Sequence, residues 1–321
     1  MTSVNPFIER LKPYQVASHK VWEVNNEERK SILKLDWNEA TIPPSPKVKE
    51  ALLEHIQQDN TFSLYPNTHN TELLNLLSEY CAVTTDRIQY FASSDAAHEY
   101  VVKLYLQPQD KVLILGPTYD NFRLTCESQG AIVAYTTYGE GFVLNEHDIE
   151  LAIDENQPKL VYLCNPNNPT GNLLSRDWIK QLLVKFPEIV FLVDEAYHEF
   201  SGVSNASDTG NFANLFISRT FSKAFALAGF RAGYLISHAE NIEKINRIRN
   251  AKNFTTLTQV AVIAALKDFD YTRSYIAEVN ETKNWFSQQV ADIISSSKVY
   301  SSYGNYVLIE LTSPKERDVI F

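Results

Sequence analysis

The sequence predicts an α/β fold: a mostly parallel sheet covered by helices on both faces, joined to a smaller α+β domain. Three observations carry this expectation. Short, continuously apolar runs alternate with helical stretches through the middle of the chain, as in strands buried on both faces. Beyond residue 238 the pattern changes to long helices. The 321 residues also exceed what one core normally absorbs, so two domains are expected.

The elements follow in order. Ile88–Ala92 reads as a strand and Asp95–Leu106 as a helix with Tyr100, Val101, Leu104 and Tyr105 on one face. Lys111–Leu115, Ala131–Tyr135, Leu160–Cys164, Ile189–Val193, Leu215–Ser218 and Gly233–Ser237 read as further strands, with helices near 119–129, 146–155 and 175–185. Ile242–Arg249, Leu257–Leu266 and Tyr271–Ile294 read as helices, Asn305–Leu311 as a strand, and Pro314–Phe321 as the start of a helix. The expected organisation is an N-terminal segment, 1–44, joining the small domain; a large domain, 45–240; and a small C-terminal domain, 241–321. Ligands on such sheets sit at the carboxyl ends of the strands.

Composition narrows the function. The chain is 44% hydrophobic and 21% charged, an ordinary globular balance. With 29 Lys+Arg against 39 Asp+Glu, the net charge is −10 and there is no basic run, which argues against nucleic acid as a partner. Cys81, Cys126 and Cys164 are odd in number, widely spaced and flanked by apolar residues, so they read as buried thiols in a reducing compartment. The histidines show no metal-ligand spacing. With neither a signal-peptide pattern nor an apolar run of membrane length, a cytoplasmic protein without membrane partners is expected.

Six loops carry candidate chemistry, each with a bland alternative. Arg219–Arg231 sets Lys223 among small and hydroxylated residues, with Ser222 before it and Arg231 eight positions later. A lysine so enclosed suits Schiff-base chemistry, and the serine and arginine suit a phosphate; together they point to pyridoxal 5′-phosphate. Taken alone, Lys223 is as readily a surface lysine near a turn. Asn165–Gly171 is a tight loop whose Asn168 can donate to a phenolate oxygen, or simply a rigid turn. Asp194 can pair with a protonated pyridine nitrogen or cap a helix, and Tyr197 can share the phenolate or merely pack. Ser93-Ser94-Asp95-Ala96 opens a helix and offers a phosphate cradle, compatible with plain capping by Ser94 or Asp95. Tyr119 can stack on the ring or pack, and Tyr65 can reach a phosphate, in its own or a neighbouring subunit, or stay a surface tyrosine. The weight lies in the sum, since loops after separate strands supply contacts for ring nitrogen, phenolate, phosphate and aldehyde.

With these motifs in hand, the chain resembles the fold-type I pyridoxal-phosphate-dependent aminotransferases and, within them, the histidinol-phosphate aminotransferase branch. The matching residues are Leu11–Tyr14, Leu35–Glu39, Tyr65–Asn67, Ser94-Asp95, Pro117–Tyr119, Asn165–Gly171, Asp194–Tyr197 and Arg219–Tyr234. The resemblance implies that Lys223 holds the cofactor and shuttles the proton, and that Asp194 binds the ring nitrogen. It implies Asn168 and Tyr197 at the phenolate oxygen, and Tyr119 on the ring face. Ser222, Arg231 and the backbone at Ser94, Asp95 and Ala96 would hold the phosphate, with Tyr65 from a partner subunit. Tyr14 and Asn38 would lie near the substrate. An amino donor and a 2-oxo acid acceptor would react by ping-pong kinetics in a homodimer.

Three departures from the family pattern stand out. Ala40–Pro44 follows Glu39 where the family has Asn-Pro and a glycine; Lys252–Thr255 replaces a proline-aromatic-asparagine segment; and no residue up to Phe321 takes the role of the C-terminal arginine that grips the substrate, as in a fragment or a chain without that tail. Two other classes stay open at this level. A decarboxylase of a phosphorylated amino acid would use the same ring chemistry. A non-catalytic sensor would keep the lysine, although the acidic balance and the lack of a preceding helix-turn-helix region speak against it.

Overall fold

The computed structural model describes residues 2–14, 20–59 and 61–315. Short helices α1 (Pro6–Glu9), α2 (Lys20–Glu23) and α3 (Asn26–Arg29) open the chain, followed by α4 (Pro46–Ile56) and α5 (Thr71–Cys81). The α/β region then runs β1 (Ile88–Phe91), α6 (Ser94–Tyr105), β2 (Lys111–Gly116), α7 (Asn121–Ser128), β3 (Ile132–Thr137), α8 (Glu146–Asn156), β4 (Leu160–Cys164), α9 (Arg176–Lys185), β5 (Val190–Asp194), α10 (His198–Ser201), β6 (Leu215–Thr220) and β7 (Gly233–Ser237). Helices α11 (Ala239–Asn246), α12 (Thr256–Lys267) and α13 (Phe269–Ile293) and the two-residue strands β8 (Lys298–Val299) and β9 (Ile309–Glu310) complete it.

The seven-stranded sheet has the order β1-β7-β6-β5-β4-β2-β3. The β2/β3, β2/β4, β4/β5 and β5/β6 pairs are parallel, and β7 runs antiparallel to both β6 and β1. The expected mostly parallel α/β sheet is therefore present. Strands β4 to β7 are buried at every position, which is why their apolar cores read as strands, with buried polar residues such as Asp194 and Ser218–Thr220 at the carboxyl ends of β5 and β6. Their two-residue period divides two cores. Val161, Leu163, Phe191 and Val193 join Trp178 and Leu182 of α9 on one face. Leu160, Tyr162, Leu192 and Phe216 join Val101 of α6 and Phe122 of α7 on the other.

Side-chain caps start the helices that carry the site or flank it. Ser93 Oγ accepts from Ala96 N–H at 3.1 Å, Ser175 caps α9 and Thr255 caps α12. The cap of α6 is thus Ser93, in place of the expected Ser94 or Asp95. Asn305–Leu311 is corrected as well, because strand pairing there is confined to Ile309–Glu310 against Lys298–Val299. The residues before Ile309 serve the cleft instead, as shown below. Helix α11 starts three residues before Ile242 and ends at Asn246. Of the helix expected over Pro314–Phe321, positions 316–321 lie outside the described residues. Thr41 N–H donates to Tyr275 of α13 at 3.1 Å and Tyr271 donates to Pro43 O at 3.0 Å, which fastens the N-terminal segment to that helix. Among the described residues no helix is long and apolar enough to cross a membrane.

Candidate active site

The carboxyl ends of β1, β2, β4, β5 and β6 open on one edge of the sheet, and a cleft of about 860 Å³ lies there. Its walls include Tyr14, Asn38, Ser94, Asp95, Tyr119, Asn168, Asp194, Tyr197, Ser222, Lys223 and Arg231. Eleven side chains expected from separate motifs thus meet in one cavity. Ala96 and Tyr65 do not line it. Ala96 N–H is engaged by Ser93 Oγ, and Tyr65 is 79% exposed beneath Lys252, whose Nζ sits 4.5 Å from the ring centroid.

Lys223 follows the end of β6. Its Nζ donates to the Trp37 carbonyl at 2.7 Å and lies 5.6 Å from the Tyr197 ring centroid. Burial lowers its pKa from 10.5 to about 8, with Arg231 adding to the effect and Glu39, Asp95 and Asp194 opposing it. An amine so poised is a usable nucleophile and base near neutral pH.

Asp194 ends β5 and is 3% exposed. Oδ2 accepts from Tyr162 Oη at 2.8 Å, and Oδ1 accepts from Ser218 Oγ at 3.1 Å and Ala196 N–H at 3.2 Å. Burial raises its pKa, while His98 and Tyr162 oppose the rise. The His98 Nε2 atom is 3.8 Å from Oδ2, beyond hydrogen-bond distance, and among the described residues no cation is hydrogen-bonded to the carboxylate.

Tyr197 Oη accepts the Asn38 amide at 3.2 Å and the Asn168 amide at 3.4 Å. With both acceptor positions filled, its own proton is left to donate into the cleft. Burial holds that phenol well above its usual pKa, so it stays a donor. The Asn168 loop is pinned from below: Asn167 accepts from Thr118 at 2.7 Å, donates to Pro117 O at 2.9 Å, and its carbonyl accepts from Tyr306 Oη at 2.6 Å. Tyr119 meets Tyr14 edge-on at 6.1 Å, and burial beside Asp95 raises its pKa.

The start of α6 shares the cleft wall with Ser222 and Arg231. Arg231 Nη2 is 3.7 Å from Asp95 Oδ2. Gly233 makes this corner possible, since a Cβ there would stand 2.4 Å from Ser94 N and 2.5 Å from Ser93 C. Asn38, Ser93 and Arg231 all have positive φ (52°, 125° and 50°), a concentration of backbone strain around one cavity that costs on the order of 1–3 kcal/mol each.

Sequence reasoning missed several contributors. Trp37 acts through its carbonyl, which no side-chain pattern reveals. Tyr306, Val307 and Leu308 line the cleft from a segment read as a strand. Tyr162 and Ser218 were legible in principle, because Cys164 and Ser218 sit opposite Asp194 on the adjacent strands and Tyr162 shares the Cys164 face.

The family model for class I and II aminotransferases matches residues 30–320. The chain belongs to the class I and II aminotransferases. This aminotransferase is 42% identical over 309 residues to a dihydroxyacetone phosphate transaminase of Campylobacter jejuni, an alignment covering 95% of this chain and 83% of that protein. It is 32% identical over 311 residues to the histidinol-phosphate aminotransferase of Ruminiclostridium cellulolyticum, covering 96% and 86% respectively. A solved histidinol-phosphate aminotransferase of Sinorhizobium meliloti, in complex with pyridoxal-5′-phosphate, superimposes with a TM-score of 0.86 at 22% identity, over 98% of this chain and 84% of that one, and so shares the fold. The cofactor that goes with the family is pyridoxal 5′-phosphate, and the donor set fits it: an amine of lowered pKa, a buried carboxylate with no cation bonded to it among the described residues, a phenol aimed into the cleft and a helix N-terminus beside an arginine.

Proposed function

We propose that this aminotransferase moves an amino group between a small phosphorylated amine or an amino acid and a 2-oxo acid, by a ping-pong path. When bound, pyridoxal 5′-phosphate supplies an aldehyde and an electron-withdrawing protonated ring. Lys223, whose desolvated amine suits both tasks, would hold that aldehyde and would move the proton at the substrate carbon. Asp194 holds the ring nitrogen, and Tyr197 with Asn168 holds the phenolate oxygen. Ser94, Asp95 and Ala96 backbone groups, Ser222 and Arg231 hold the phosphate, although the Ala96 amide must leave its cap to take part. Tyr119 covers the ring, and Tyr14 stands at the substrate side. Asn38, expected at the substrate, is better placed to fix Tyr197.

The observation that carries this reading is that Lys223, with its pKa near 8, shares one cleft with the buried Asp194. The phosphorylated substrate class rests on the names of the relatives at 42% and 32% identity. The same reading keeps the division at residues 44 and 240, and a homodimer in which Tyr65 meets the partner's cofactor; the exposed Phe62, Leu64 and Tyr65 support such an interface. The free, buried Cys81, Cys126 and Cys164 support a reducing, cytoplasmic setting. The test is absorbance of the cofactor-loaded protein titrated with glutamate and histidinol phosphate, then with dihydroxyacetone phosphate. Conversion by an amino donor and reversal by a carbonyl acceptor is expected; silence toward every phosphorylated compound, with conversion by others, overturns the substrate class.

A further inference from the structure

We propose that His98 is a positioning residue for Asp194, acting through a directed hydrogen-bond chain from His98 Nε2–H to Ser218 Oγ and from Ser218 Oγ–H to Asp194 Oδ1. His98 lies in α6, and its side chain is 2% exposed. Its Nε2 is 2.7 Å from Ser218 Oγ, and Ser218 Oγ is 3.1 Å from Asp194 Oδ1. His98 is absent from the walls of the cleft, so it acts on the site only through its neighbours.

The direction of the chain follows from proton counting. A serine hydroxyl has one hydrogen, and an ionised carboxylate only accepts. If Ser218 gave its hydrogen to His98, two sets of lone pairs would face each other across the buried Ser218–Asp194 contact, at the cost of an unmet acceptor. Ser218 therefore donates to Asp194 and must receive its own bond from His98, so Nε2 carries a hydrogen whether the ring is neutral or cationic. Strand parity builds the arrangement. Asp194 and Ser218 are directly paired on β5 and β6, and their side chains fall on the face that α6 covers.

The histidine ring is fixed in place. It meets Phe122 of α7 edge-on at 5.6 Å and Tyr162 of β4 edge-on at 5.9 Å. Tyr162 also donates to Asp194 Oδ2, so one aromatic packs the histidine and bonds the carboxylate. The titratable groups that face Asp194 are His98 and Asp95 from α6, Tyr162 and Cys164 from β4, and Lys223, Tyr197, Tyr119 and Tyr306 from the cleft; the charge of Asp95 opposes ionisation of Asp194. Against that repulsion and the burial, the His98–Ser218 chain favours the charged carboxylate. The same helix that opens the proposed phosphate cradle thus also carries the support for Asp194, linking both ends of the cofactor site. The consequence for the cofactor rests on the assignment of Asp194 to the ring nitrogen; the chain itself does not.

Two measurements on ligand-free protein test it. In protein labelled with nitrogen-15 at histidine, the His98 signals, assigned by their loss in His98→Gln, should show hydrogen on Nε2. A bare Nε2 with hydrogen on Nδ1 overturns the proposal without any stability question. Carbon-13 carboxyl titration of Asp194 should give a midpoint about one pH unit higher in His98→Leu and in Ser218→Ala than in wild type, and no further rise in the double variant. His98→Gln, whose amide can still donate, should recover more than half of the shift. A folded His98→Leu protein that titrates like wild type, or a Gln variant no better than Leu, overturns it. Cofactor affinity of His98→Leu should fall about tenfold. An unchanged affinity alongside the expected titration shifts would uphold the chain and remove Asp194 from the ring nitrogen.

Discussion

Gly233→Ala is the substitution that most sharply separates packing from chemistry at this site. Gly233 has no unusual φ; what it provides is close approach. It pairs with Phe91 and Thr220 where β7 passes the ends of β1 and β6. A Cβ would meet Ser94 N at 2.4 Å, Ser93 C at 2.5 Å and Arg219 O at 2.9 Å, all backbone atoms, so no side chain can rotate away. Reaching the 3.4 Å of ordinary contact requires the start of α6 to retreat by about 1 Å. Overpacking of this kind costs about 2 kcal/mol. The same retreat pulls the first amides of α6 from the anion position, and losing one charge-assisted bond there weakens binding at least about tenfold. Urea unfolding of ligand-free protein reads the first quantity, and fluorescence titration with pyridoxal 5′-phosphate reads the second. An alanine variant within about 0.5 kcal/mol of wild type that binds the cofactor equally well would refute the reasoning.

Other outcomes follow from the same geometry. With Lys223 at about pH 8, the rate of cofactor uptake by ligand-free protein should rise with pH about a midpoint near 8; a rise only toward 10 would mean that the amine is not desolvated. Because the unfolded lysine keeps its proton up to about 10.5, this group should make stability increase between pH 8 and 10.5, an increase that Lys223→Met removes from the unfolding free energy. Asp194→Asn should cut turnover by at least about a hundredfold yet leave ligand-free stability equal or higher, since a buried charge is disfavoured; loss of fold would contradict this. Arg219→Met should destabilise by about 3–5 kcal/mol, because it leaves Glu195, which Arg219 Nη2 meets at 2.8 Å, buried without its guanidinium partner; an unchanged unfolding midpoint would contradict it.

The sheet was legible because β4 to β6 are buried on both faces and so carry apolar cores, and their boundaries were met within two residues. The motifs at Ser93–Ala96, Tyr119, Asn165–Gly171, Asp194–Tyr197 and Arg219–Arg231 were legible because each follows a strand, whereas those at Tyr14, Asn38 and Tyr65 precede the first one. Helices α4 and α5 went unseen although the sequence carries their signals: Leu73, Leu74, Leu77 and Cys81 form one helical face in α5, and Ser45 before Pro46 and Asn70 before Thr71 are caps. Residues 305–308 have strand-like apolarity, yet Tyr306 is engaged by Asn167 O and Val307 and Leu308 face the cleft, so pairing is confined to two residues. Trp37 contributes a carbonyl and His98 acts through a serine, and neither leaves a mark in residue type or spacing.

The central claim is that Lys223 is the residue that takes the cofactor. Reducing the cofactor-loaded protein with borohydride and mapping its peptides by mass spectrometry tests this directly. The account predicts one pyridoxyl group per chain, on Lys223. The group on any other lysine, or none on a protein that has lost its visible band, would contradict it.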